Sequence, residues 1–168
     1  HREAKPLAVM VRTLEEAARL GRVGAAEAEL LAAPERPIVL LERLEGGGLA
    51  AGVAPGLGWV GVMLPTTPLH FLLLDRLRRP LVMTSGNVSD EPIATGNEEA
   101  IARLAGIADG FLLHDREIVS RYDDSVVRPT GVGPILLRRA RGYAPLPLDL
   151  PVASPVPLLA VGPHLKNT

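Results

Sequence analysis

The chain has 168 residues, nearly half of them apolar, a formal net charge of -1 and no cysteine. That length suits one domain with a sizeable core, or one domain plus a fragment of a neighbour. The absence of any run of about 18 apolar residues predicts no membrane span, the near-zero charge gives no global pull towards nucleic acid or anionic lipid, and the lack of thiols excludes disulfides and fits a cytoplasmic setting.

The first apolar stretch, Pro6 to Met10, reads as a strand preceded by two cations, Arg2 and Lys5. These could clamp phosphate at the mouth of a cleft or simply be solvated terminal charges. Thr13 with Glu16 three residues on forms a capping box, predicting a short helix that ends near Gly21. A second helix is expected over 25–33, stopped by Pro34. Pro37 to Leu41 reads as a buried strand, Gly46-Gly47-Gly48 as a flexible turn and Trp59 to Leu64 as another strand. Thr67-Pro68 opens a helix through about Arg78, with threonine as cap and proline at the first helical position. His70, early in that helix, and His114 read first as structural histidines.

Pro80 to Pro92 holds the strongest local signal. Leu81-Val82-Met83 leads into Thr84-Ser85-Gly86-Asn87, a pattern expected of a buried strand ending in a tight polar turn. Ser85 and Asn87 offer a hydroxyl and an amide two residues apart, and Gly86 allows close approach to the backbone. Such a loop suits phosphate or a phosphate-bound metal ion; it could equally satisfy only its own backbone. Thr95 and Glu98 predict another capping box and a helix through about Ala105.

Strands are then expected at Phe111-Leu112-Leu113, Ser125-Val126-Val127 and Ile135-Leu136-Leu137. Asp123 and Asp124 could hold Mg²⁺ or merely terminate an edge. After the last strand comes Arg138-Arg139-Ala140-Arg141. Strand alternation would put Arg139 and Arg141 on one face and Arg138 on the other. The paired arginines could grip phosphates, or be a solvated strand end. Sixteen arginines against two lysines suit bidentate anion recognition, although overall composition explains them as well. The prolines from Pro145 to Pro157 predict an extended linker, and Leu158 to Gly162 reads as the first strand of something further. Strands alternating with helices argue for an α/β fold with a mixed sheet. No nucleophile–base pair, Walker loop or metal-binding His pair stands out, so any chemistry must run on positioning and charge stabilisation.

Six segments in order resemble the YrdC-like domain of the HypF family, the hydrogenase maturation carbamoyltransferases. They are HREAKPLAVM (1–10), RPIVLL (36–41), GVMLPTTPLH (61–70), PLVMTSGNVSDEPI (80–93), DDSVVR (123–128) and LRRARGYAP (137–145). The resemblance covers residues 1 to about 150, and AVGPHLKNT (160–168) resembles the opening of that family's carbamoyl-transfer domain. It implies a twisted, mixed open sheet flanked by helices, lacking its N-terminal strands. The implied division is a truncated adenylation domain over 1–144, a linker over 145–157 and the start of the transfer domain over 158–168.

The implied activity is formation of carbamoyl adenylate from carbamate and ATP with Mg²⁺. Carbamoyl phosphate is the source of carbamate, and the C-terminal cysteine of the partner HypE receives the carbamoyl group for [NiFe] hydrogenase cyanide ligands. Other domains of the same polypeptide take part. By match to the family motifs, Arg2, Lys5, Ser85 and Asn87 would be catalytic, and Ser85, Asn87, Ser125, Arg139 and Arg141 would hold the nucleotide. The first lysine of the family's K-x-R and its glycine-rich nucleotide segment are missing before His1. The chain alone is therefore expected to show little or no catalysis. The competing readings are threonylcarbamoyl-adenylate synthesis for tRNA modification on the same fold, and a non-catalytic RNA-binding module. Three per cent aromatics and the charge balance argue against the latter.

Overall fold

A computed structural model of the protein describes residues 5–89 and 91–159. The elements in chain order are β1 (Ala8–Met10), α1 (Leu14–Leu20), β2 (Gly21–Arg22), α2 (Ala25–Ala32), β3 (Ile38–Arg43) and β4 (Trp59–Met63). Then follow α3 (Pro68–Leu77), β5 (Leu81–Met83), α4 (Asn97–Leu104), β6 (Val126–Arg128) and β7 (Ile135–Arg138). One sheet runs β5-β1-β4-β3-β6-β7, with β2 paired to the far end of β3. The β1–β4 and β3–β6 pairs are parallel and the others antiparallel, so the sheet is mixed, as the alternation of elements predicts.

The helix starts follow from local chemistry. Thr13 accepts a hydrogen bond from the Glu16 N–H at 3.3 Å, and the Glu16 carboxylate accepts one from the Arg12 N–H at 2.8 Å. Two orphan amides are thereby satisfied. Thr67 caps α3 by accepting from the His70 N–H at 3.3 Å, with Pro68 as the first helical residue. Helix α3 ends where Arg78 turns left-handed at φ 51° and its N–H donates to the Leu74 carbonyl.

Strand periodicity divides the sheet into two unlike faces. Val9, Val39, Leu41, Val60 and Val62 point to one side and are buried with Ala17 and Leu20 of α1 and Leu31 of α2. Their neighbours point the other way, and that face is only partly covered. There Leu74 of α3 packs on Met10 and Met63, with Ile38, Leu81 and Met83 around them.

Three expectations are corrected. Phe111-Leu112-Leu113 forms no strand; it lies in a long irregular segment with all three side chains exposed, because no sheet edge pairs with it. Strand β5 is an edge strand whose Val82 is half exposed, not a buried one, since only β1 flanks it. Helix α4 is capped at Gly96, not Thr95, and Glu99, not Glu98, accepts from the Thr95 N–H. Residues 145–159 are exposed and hold neither helix nor strand. Most of the strand expected at 158–162 lies outside the described residues.

Candidate functional site

The uncovered face of the sheet is the floor of a cleft of about 620 Å³. Ala8 and Met10 of β1, Ile38 and Leu40 of β3, Trp59, Gly61 and Met63 of β4, and Val126 of β6 line it. These are the alternates of the buried core positions, so one pleat builds both core and cleft. Gly61 keeps the floor low. A Cβ there would stand 2.8 Å from Ile38 Cγ2, a stiff branched side chain on the next strand.

Strand register gives the cleft two polar ends. Ala8 lies level with Gly61 and Met83, whereas Met10 lies level with Met63 and Leu81. Lys5, before β1, and Thr84 and Ser85, after β5, are therefore gathered at the first end. Thr66 and His70, after β4, and Asp123 and Asp124, before β6, are gathered at the second. Arg138 joins them through its pairing with Val126. The apolar floor between the two levels is two residues long, about 7 Å.

At the first end, Ser85 donates its hydroxyl proton to Asn87 Oδ1. The Asn87 amide in turn donates to the carbonyls of Val88 at 2.8 Å and Glu91 at 3.0 Å. Ser85 thus faces the cleft with lone pairs rather than with a proton. Asn87 does not line the cleft; it orients Ser85 and closes the loop. The far side of that loop is held by Arg103, which donates to Glu91 at 2.6 Å, the Pro92 carbonyl at 3.0 Å and Glu99 at 2.6 Å. Arg121 donates to the Ile93 carbonyl at 2.8 Å.

At the second end, His70 Nδ1 lies 3.0 Å from Thr66 Oγ1 and accepts from the Thr66 backbone N–H at 3.5 Å. Burial lowers the His70 pKa from its ordinary value; Asp124 pulls it up and Arg141 pushes it down by lesser amounts. The ring is therefore neutral at pH 7. Asp124 is held by Arg141, whose Nε and Nη2 approach Oδ1 at 2.9 and 2.8 Å.

The residues singled out in the sequence are dispersed by the fold. Lys5 and Ser85 line the cleft; Arg2 lies outside the described residues. Ser125 is fully buried away from it, donating to the Arg141 carbonyl at 2.9 Å and accepting from the Ala140 N–H at 2.8 Å. Arg139 points its guanidinium at the carbonyls of Tyr143 and Leu146. Arg141, besides Asp124, donates to the carbonyls of Glu35 at 3.2 Å and Arg36 at 2.9 Å. Arg138 faces the cleft whereas Arg139 and Arg141 do not. Strand β7 ends at Arg138, the chain then turns at Gly142, φ +87°, and the paired arginines are taken up by backbone carbonyls and Asp124. Among the described residues the arginine that lines the cleft is Arg138. Gly61, Trp59 and Thr66 also line it and, like Arg138, carry no site signal in the sequence, since an apolar strand gives no sign of which face stays open.

Mg²⁺ keeps most of its waters and takes few protein oxygens when phosphates share it. The lone pairs of Ser85 at the Lys5 end fit that limited demand. Among the described residues no three His, Asp or Glu side chains cluster as a metal cage, and no helix is long and apolar enough to cross a membrane.

The sequence model of the Sua5/YciO/YrdC family, described as telomere recombination, matches residues 1–140. Carbamoyltransferase HypF2 of Cupriavidus necator is 54% identical over 185 residues, a match covering 99% of this chain and 23% of that protein. Carbamoyltransferase HypF of Synechocystis is 50% identical over 168 residues, covering 100% of this chain and 22% of that one. A crystal structure of full-length HypF in a phosphate- and nucleotide-bound form superposes with a TM-score of 0.80. It shares 51% identity and covers 84% of this chain and 19% of its own. The chain thus spans under a quarter of the length of the curated relatives it matches. It belongs to the Sua5/YciO/YrdC family.

Proposed function

We propose that this member of the Sua5/YciO/YrdC family is the adenylate-forming region of a carbamoyltransferase, joining carbamate to ATP. The two-ended cleft is the observation that carries the reading. In an in-line displacement, a carbamate oxygen attacks the α-phosphorus while the bond to pyrophosphate breaks on the opposite side. Nucleophile and leaving group need separate polar ends with the phosphorus between them, and the cleft offers that arrangement over a glycine floor. Carbamate is already an anion, so no base is required; the barrier is charge repulsion and leaving-group stabilisation.

In this reading Lys5 neutralises the phosphates at the first end, with Arg2 assisting. Ser85, set by Asn87, offers its lone pairs to Mg²⁺, which supplies charge neutralisation on the triphosphate. Ser125, Arg139 and Arg141 act from behind the cleft, fixing the 123–146 backbone. Carbamoyl phosphate is the source of carbamate, other domains of a longer polypeptide complete the transfer to the HypE cysteine, and the setting is cytoplasmic. The rival reading, threonylcarbamoyl-adenylate synthesis, differs in the acid that occupies the second end.

The test is ATP–pyrophosphate exchange by the full-length protein, with carbamoyl phosphate or with threonine plus bicarbonate as co-substrate. Exchange with carbamoyl phosphate alone is expected. Exchange with threonine and bicarbonate alone moves the protein to tRNA modification. Ser85→Ala is expected to abolish exchange while phosphate release from carbamoyl phosphate persists; unchanged exchange removes Ser85 from the site.

A further inference from the structure

We propose, resting on the carbamoyl-adenylate reading, that His70 holds the carbamoyl group at the second end of the cleft by donating its Nε2–H to a carbamate oxygen.

The hydrogen bonds at Nδ1 fix the tautomer of His70. A backbone N–H can only donate, so the contact from Thr66 N–H makes Nδ1 an acceptor. A neutral ring whose Nδ1 accepts carries its proton on Nε2. Thr66 Oγ1, 3.0 Å from the same nitrogen, is free to donate to it as well. Among the described residues Nε2 has no protein hydrogen-bond partner, and His70 lines the cleft. The ring is anchored from below: His70 N–H donates to Thr67 Oγ1 at 3.3 Å, so cap, helix start and imidazole are one rigid unit.

The surroundings select the ligand. Asp124 is the carboxylate nearest in charge terms, and its interaction with Arg141 mutes its repulsion of an incoming anion. Arg138 lines the same end and also donates to the Asp124 carbonyl at 3.4 Å, which puts a cation at that end of the cleft. One neutral N–H and one guanidinium match a small planar anion with two oxygens. With pyrophosphate at the Lys5 end, this places the nucleophile on the far side of the α-phosphorus, as the displacement requires. Because His70 stays neutral, it fixes the oxygen without drawing off the charge that makes it nucleophilic.

The experiment is ATP–pyrophosphate exchange by full-length protein carrying His70→Ala or His70→Gln, read as separate KM and kcat values. In His70→Ala the KM for carbamoyl phosphate in exchange should rise about 10- to 100-fold. The KM for ATP should stay within about twofold, because its phosphates lie at the other end. Phosphate release from carbamoyl phosphate should not change. Glutamine carries an N–H donor near the Nε2 position, so His70→Gln should recover most of the loss. An unchanged KM for carbamoyl phosphate in His70→Ala, with exchange otherwise intact, overturns the role of His70 and leaves the carbamoyl reading standing. Equal rises for ATP and carbamoyl phosphate in both variants also overturn it, since that marks general damage to the fold. A wild-type protein silent with carbamoyl phosphate overturns the carbamoyl reading itself, and the assignment with it.

Discussion

The two faces of the central sheet are built from alternate residues of the same strands, yet they behave as different materials. Leu41 is fully buried against the helices, while Leu40, its neighbour in β3, reaches the cleft. The buried face has α1 and α2 over it and is apolar throughout. The other has only α3, seated on Met10 and Met63, and polar groups at both ends of the uncovered part. What separates core from site is therefore helix coverage. Residue type alone does not mark the difference, because Val and Leu occur on both sides, as Val39 and Leu41 on the covered face and Leu40 and Val126 in the cleft show.

The largest effect is expected on the covered face. Leu41→Ala should cost about 2–5 kcal/mol in denaturant unfolding, from lost transfer energy plus a cavity. Leu40→Ala should cost about 1 kcal/mol; equal costs would mean that the faces do not differ in coverage. Gly61→Val tests the floor. It should destabilise by about 1–3 kcal/mol through overpacking against Ile38 and should also eliminate ATP binding in calorimetry. Retained binding would show that the nucleotide does not lie over β4.

Ser125→Ala separates structure from contact. The Ala140 N–H and the Arg141 carbonyl would lose their shared partner, at a cost of about 1–3 kcal/mol. The KM for ATP should be nearly unchanged. A fall in ATP affinity at unchanged stability would return Ser125 to the ligand.

The smallest effect is a pH dependence. The folded pKa of His70 lies below its unfolded value, so the unfolded chain binds the extra proton first. Stability present at neutral pH is then lost as pH falls below about 6.5 towards the folded pKa. Unfolding of His70→Gln followed over the same range should show a shallower slope. An identical slope would assign the pH dependence to other groups.

Local rules made much of this protein legible. The Thr13 and Thr67 caps, Pro68, the apolar runs of β1, β3 and β4 and the polar turn after β5 are short-range features, decided by residues within one or two turns of each other. Where two local solutions compete, as at Thr95 and Gly96, the cap lies one residue further on, because Glu99 reaches the Thr95 N–H as well as Arg103.

The sequence by itself determined the α/β class, the starts of α1 and α3 and the placing of Lys5 and Ser85 beside strand ends, because propensity and capping act within a few residues. Only the tertiary structure decided that Arg138 enters the cleft while Arg139 and Arg141 brace the backbone behind it. It alone turned His70 into a fixed neutral donor and left Phe111 to Leu113 without a partner strand. Each outcome depends on which element lies across a face or along an edge. Residues more than a hundred positions apart, such as Arg141 and Glu35, settle that only once the sheet has formed.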